Sequence, residues 1–399
     1  MSFVPRHPPP SPVSFSGDRG EFRRLVTRGA MLELITIGFY RFWLATDIRR
    51  HLWSNTHIDG DAAEYTGRGK ELLIGFLFAL AILMPVYLAY FLVSIEAERL
   101  KAFAGLPLFA FFYLFGQFAI YRARRYRLTR TVWRGVRFWM DGSGWAYAMR
   151  AALWALLMPL TLGLILPWRE AALERYKMRH CYYGELQGSF EGSGWDFFKR
   201  GWWLWLMAVA PLIALLIILP LSKFSPLLLM RADRIAPFVS LFMMLSAPFI
   251  YGVFKAVEWR WWLSGIRFGE VRFESALLRG ALVGLYWKVI GWFLLLVVLF
   301  TAYLLAGARL IAGASGLSLN PAILQQSVSM LVVAGIGYLA FILALNVVIR
   351  VYLVRDVWAR VTASTAVHNI EAVADISVGG ELADAIGEGL AGGLDVVGF

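Results

Sequence analysis

The chain has 399 residues, 59% apolar and 17% charged, with a mean hydropathy of +0.62. Soluble domains stand near half apolar and a quarter charged, so composition points away from that class and toward a membrane protein, mainly α-helical and polytopic. The net charge of +12 lies in short segments between apolar runs, where Lys and Arg orient membrane helices; this argues against a nucleic-acid partner.

Residues 1–14 hold five prolines and no apolar core of a secretory signal, and read as a disordered, Pro-rich lead. A span needs roughly 20 mostly apolar residues, and six stretches meet that clearly: 71–95, 103–121, 201–221, 235–254, 277–308 and 328–354. Two further segments, 22–43 and 147–168, are interrupted by charges (Arg23, Arg24, Arg28, Glu33) or by Pro159, Gly163 and Pro167. Each ionised group near a bilayer centre costs about 2.5–3.5 kcal/mol, which favours re-entrant or surface-lying helices over two additional spans. Topology agrees: with six spans the polar segments 44–70, 122–146, 169–200, 255–276 and 355–399 share one side, and that arginine-rich side is expected to be cytoplasmic, with both termini. Eight spans remain the alternative.

The segment 36–69 falls without a gap on 161–194 at an offset of 125. Gly38, Trp43, Tyr65, Gly67 and Gly69 meet Gly163, Trp168, Phe190, Gly192 and Gly194. Each copy carries an apolar run that breaks, a basic amphipathic stretch, a two-strand unit, and an aromatic-x-Gly-x-Gly corner. The unit recurs as SNTHIDGDAAEYTG, TVWRGVRFWMDGSG, CYYGELQGSFEGSG, LSGIRFGEVRFES and, divergently, AVHNIEAVADISVGG. Asp59–Gly60 suits a hairpin turn, and Gly135 and Gly142 follow Gly60 and Gly67 at 75 positions. A single arm near Phe15–Gly17 makes a sixth piece. Lone hairpins are marginal in water, so several on one membrane face are expected to pair into a small, mostly antiparallel sheet.

The resulting divisions are 1–14, a first membrane unit 15–140, a second 141–276, a helical hairpin 277–362 and an acidic, Gly-rich tail 363–399 that includes the degenerate hairpin. The tail is expected to fold back on basic loops, and ELADAIGEGLA to form a short helix.

With these residues laid out, the chain resembles the YjgN-like family of bacterial inner-membrane proteins, a family without a known function. Asn55, Thr56, Gly60, Tyr65 and Gly67 match its NT-x-x-x-G and F-x-Y-x-G pattern, and Pro167-Trp168 its PW. His180-Cys181 stands where that family has Asn-Thr, and Ala63 replaces the first aromatic. The resemblance implies an inner-membrane location and carries over no catalytic residue.

The residues themselves give no enzyme signature. The Gly-x-Gly corners fit neither nucleotide fingerprint. His7, His51, His57, His180, His368 and Cys181 lack zinc spacing, so no metal or cofactor is expected. Intramembrane polar residues are the better lead: Glu33, Lys288, Asn346 and Arg350, the last two one helical turn apart. Arg150, Arg200 and Arg279 each follow a corner and suit headgroup phosphates. The leading expectation is a non-enzymatic membrane protein whose cytoplasmic units bind anionic lipid headgroups or a protein partner; the alternative is a transporter or channel.

Overall fold

In a computed structural model, residues 10–96, 101–222, 226–315, 328–380 and 382–383 are described. Ten short strands close into one antiparallel ring in chain order. They are β1 (Ser11–Phe15), β2 (Thr56–Ile58), β3 (Asp61–Tyr65), β4 (Thr131–Trp133), β5 (Val136–Met140), β6 (Cys181–Tyr183), β7 (Leu186–Phe190), β8 (Ile266–Phe268), β9 (Val271–Ser275) and β10 (Thr365–His368).

Four of the hairpins, β2–β3, β4–β5, β6–β7 and β8–β9, share one plan: a three-residue arm, a two-residue turn and a five-residue arm. Asp59–Gly60 (φ 53° and 85°) and Arg134–Gly135 (φ 48° and 75°) have positive φ at both turn positions. Such mirror-image turns match the twist of the flanking strands.

The expected sheet is therefore a closed barrel, and the divergent fifth unit is not a hairpin. Only its first arm, β10, is a strand, and its mate is β1, with Ser11 opposite Val367. The single arm expected near Phe15–Gly17 begins at Ser11, so 11–14 belong to the ring and not to a disordered lead. The physical reason is the edge: a row of hairpins leaves two unpaired strands, and pairing β1 with β10 removes both.

Strand alternation turns Val13, Ala63, Trp133, Tyr183, Phe268 and Val271, among others, into one buried cluster that fills the ring. Past β10 a 3₁₀ turn (Ile370–Val373) carries the chain back over the turn end. Ile370 and Val373 are buried in that same cluster, and Ile376 packs on it. The tail thus folds back through apolar teeth. The helix expected over 381–391 lies almost wholly outside the described residues.

Each strand that does not enter a tight turn leads into helices, so the helices leave one end of the ring and the turns lie at the other. The pairs are α1 (Arg19–Ile35) with α2 (Arg41–Ser54), α3 (Gly69–Glu96) with α4 (Lys101–Thr129), α5 (Gly144–Leu160) with α6 (Leu166–Arg179), α7 (Gly194–Ser222) with α8 (Pro226–Gly265), and α9 (Val283–Ser315) with α10 (Val328–Ile349). A π-helical turn (Arg350–Arg355) and α11 (Asp356–Ala363) return to β10.

Among the described residues, five helical runs are long and apolar enough to cross a membrane: 69–92, 105–129, 237–265, 283–313 and 328–363. That is one fewer than the six expected. The remaining stretch, 201–221, lies in α7, and some of its side chains fall outside the described residues.

The two doubtful segments prove to be helix–turn–helix pairs. Both α1 and α5 have 17 residues, and their boundaries coincide at the 125 offset. Ile37–Gly38 (φ 52° and 86°) and Leu162–Gly163 (φ 49° and 81°) make the breaks. At each, a threonine spans the turn: Thr36 Oγ1 donates to the Leu32 carbonyl (2.7 Å) and accepts from the Tyr40 N–H (2.9 Å), as Thr161 does with Leu157 (2.8 Å) and Ile165 (3.4 Å). The tips are apolar and bare, Ile37 being 90% exposed.

At the following corners a close approach requires glycine. A Cβ on Gly69 or Gly194 would lie 2.8 Å from the Cα of Trp43 or Trp168. The rings of Tyr65 and Phe190 lie over Gly67 and Gly192 in the same way.

Candidate functional site

On strands β8 and β9 the apolar residues Ile266, Phe268 and Val271 are buried, so the alternating Arg267 and Arg272 occupy the outer face. The two arginines are direct cross-strand partners, and Arg272 also stands opposite His368 of β10. Like charges placed opposite each other destabilise a sheet. Something must compensate.

Beside this face the last turns of α8 bring Arg260 and Ser264, and the first turns of α7 bring Arg200. Together with Arg267, Arg272 and His368 they line a cleft of about 610 Å3. A smaller cavity of about 160 Å3 adjoins it, lined by Arg200, Arg260 and Arg279 over a floor of Ala256, Val257 and Leu277.

Part of the charge is compensated within the protein. His368 Nε2 and Glu274 Oε2 are 3.0 Å apart. Arg267 Nη1 donates to the carbonyls of Ser264 (3.0 Å) and Ile266 (2.9 Å). Its Nε lies 3.0 Å from Glu191 Oε2 but is not aligned for a hydrogen bond; the pair is coulombic. Among the described residues, Arg200, Arg260, Arg272 and Arg279 make no ion pair.

Arg200 and Arg279, singled out in the sequence, therefore meet in one place. Arg150 goes elsewhere, its guanidinium 4.2 Å above the ring of Tyr176. Glu33 and Arg350, 317 positions apart, join in an ion pair of 3.1 Å between α1 and the π-helical turn, with side chains 22% and 18% exposed. Asn346 lies one turn earlier on α10, and Lys288 is in α9 near Tyr352. Asn55 and Thr56 are structural: the Asn55 amide donates to the His51 carbonyl (2.7 Å), the Thr56 hydroxyl to that of Leu52 (2.7 Å).

Sequence reasoning missed Arg260, Arg267, Arg272 and His368. Alternation within IRFGEVRFES does place Arg267 and Arg272 on one face. The pairing of β9 with β10, which adds His368, has no local signal.

A second group of charges lies between α4, α6 and α8. Arg124 is 3.2 Å from Glu174, which also pairs with Lys177; Arg169 pairs with Glu170, and Lys255 with Glu258 (2.7 Å). Burial pushes the Glu174 carboxyl up, but Lys177 and Arg124 outweigh it and hold it at about 2. Burial pushes Glu170 up. Every charge here has a partner, so this network ties helices together and leaves no unmet demand for a ligand. Among the described residues no group of His, Cys, Asp and Glu is placed to hold a metal ion.

A family model described as a bacterial protein of unknown function (DUF898) matches residues 10–288, which takes in β1 to β9 and stops before β10. No curated protein and no solved structure matches the chain.

Proposed function

We propose, for a chain that belongs to the bacterial DUF898 family, that the ring and its helices form a membrane-anchored module that binds anionic, phosphate-bearing lipid headgroups and does no chemistry on them. The observation that carries this reading is the group of four arginines without ion pairs around the cleft where α8 passes into β8. Guanidinium forks match phosphate oxygens in pairs, and basic pockets at the inner ends of spanning helices suit phosphate headgroups. The arginine-rich polar segments and both termini then lie on the cytoplasmic side of the inner membrane.

The transport reading rests on Glu33 and Arg350. Their contact with each other accounts for both charges, and the ring is filled by side chains, which argues against a conduit through it.

The test is retention of lipid by full-length protein in nanodiscs of zwitterionic lipid doped with phosphatidylglycerol. Replacing Arg200, Arg260, Arg272 and Arg279 together by Gln should lower anionic-lipid enrichment by about 1 kcal/mol per arginine near the surface. Identical enrichment around the wild type and the quadruple variant would overturn the reading.

A further inference from the structure

The site consists of two cavities, and their division specifies the ligand more narrowly than negative charge alone. Arg200 and Arg260 line both, Arg279 lines only the smaller, and Arg272 only the larger. The floor of the smaller one, Ala256, Val257 and Leu277, is apolar and buried, so no carboxylate reaches its arginines from below. Only in the larger cavity does an acidic side chain, Glu274, stand among the lining residues, and it is engaged with His368.

A phosphodiester carries one negative charge. A single one, seated in either cavity, leaves the arginine peculiar to the other without a counter-ion. Guanidinium has two donor edges, which allows Arg200 and Arg260 to serve a phosphate on each side. Position favours a lipid over a soluble anion. The helical run 237–265 is long and apolar enough to span and ends one residue before β8. Arg260 and Ser264 are therefore at headgroup depth, with Ala256 and Val257 about one turn deeper.

Resting on the headgroup reading above, we propose that the cleft binds a lipid headgroup bearing two phosphates, of the diphosphatidylglycerol type. One phosphate sits against Arg279 and the other against Arg272, with Arg200 and Arg260 between them. The site thereby selects two-phosphate lipids over singly charged ones.

The experiment uses full-length protein in phosphatidylcholine nanodiscs doped with phosphatidylglycerol or diphosphatidylglycerol at equal total phosphate, with bound lipid counted by native mass spectrometry. The wild type should retain the two-phosphate lipid roughly fivefold more tightly, about one extra phosphate–arginine contact. Arg279→Gln and Arg272→Gln should each bring the ratio close to one. Both side chains are exposed and unpaired, so the ring should fold unchanged, and Arg23→Gln, distant in sequence and also exposed, should keep the wild-type ratio. Equal retention of the two lipids by the wild type would overturn the two-phosphate inference while leaving headgroup binding in place. Retention of neither would overturn both. Displacement of the lipid by an equal concentration of soluble glycerol bisphosphate would overturn its assignment as a lipid site.

Discussion

Gly184 is the residue whose replacement tests how the ring is closed at its turn end. Its φ of +57° is left-handed, so any L side chain there costs about 1 kcal/mol before it meets anything. A Cβ at this position would also lie 2.5 Å from Ile376 Cγ2 and closer still to the carbonyl oxygen of Ser377. The Ser377 contact is with backbone and cannot be relieved by a rotamer change. The segment after the 3₁₀ turn would have to lift, and Ile376 would lose part of the roughly 1.5–3 kcal/mol that a fully buried Ile contributes. Gly60→Ala is the matched control, since Gly60 has φ +85° with nothing within 4 Å of an added Cβ. We expect Gly60→Ala to cost about 1 kcal/mol and Gly184→Ala about 1–2 kcal/mol more. Thermal unfolding in mild detergent reads the difference. Amide exchange over 370–380 reads its cause, rising in Gly184→Ala and staying at the wild-type rate in Gly60→Ala. Equal destabilisation, with 370–380 equally protected in both variants, would refute the view that this segment closes the ring.

Two further outcomes follow from the same geometry. Single cysteines at the exposed positions Asp61, Gln187 and Glu270, all near the tight turns, should react with a membrane-impermeant maleimide from one side only; modification from opposite sides would dissolve the ring. Cys181 need not be removed for that experiment, because it is 2% exposed and burial pushes its thiol up to about 11. Glu174, held at about 2 against an ordinary 4.5, should contribute stability that is complete above about pH 4.5 and lost as pH falls toward 2. Glu174→Gln should abolish that pH dependence and, by leaving Arg124 and Lys177 without their carboxylate, cost about 3–5 kcal/mol at neutral pH; an unchanged acid limb would contradict the pairing.

Much of the ring was readable because its parts are local. A two-residue turn, a glycine under an aromatic ring and a break between two helices each depend on a few adjacent residues. The match of 36–69 with 161–194 therefore located the breaks at Gly38 and Gly163 and the glycine corners beyond them, whereas 22–43 and 147–168, each expected as one segment, prove to be two helices apiece. Closure was not readable in the same way. Ser11 and Val367 pair across the whole chain, and nothing in AVHNIEAVADISVGG announces that its first arm belongs with the N-terminus. Intramembrane charge drew attention to Glu33 and Arg350 separately, because each is costly alone, yet their partnership needed the fold. Trp261 is a further residue whose place only the fold reveals. An aromatic at the end of a span suggests an interface belt, whereas this one is 3% exposed, with its Nε1–H donating to the Ser193 carbonyl (2.9 Å).

The position of the closing strand bears on what the minimal folding unit must be. The family match ends at residue 288, beyond β9 and before β10. A chain stopping there would leave the outer edges of β1 and β9 unpaired, and β9 carries Val271 and Phe273 in the ring cluster. Open strand edges with apolar inner faces recruit other chains, so ring closure demands the returning helices and β10. The entropic penalty of closing so long a loop rises only with the logarithm of its length. Helical hairpins reduce it further, because each returns its two strand ends to the same end of the ring. The same return brings His368 to Arg272 and completes the wall of the arginine cleft. Folding of the ring and assembly of the arginine cleft are thus one event, and the strand that removes the last exposed edge also builds the last side of that cleft.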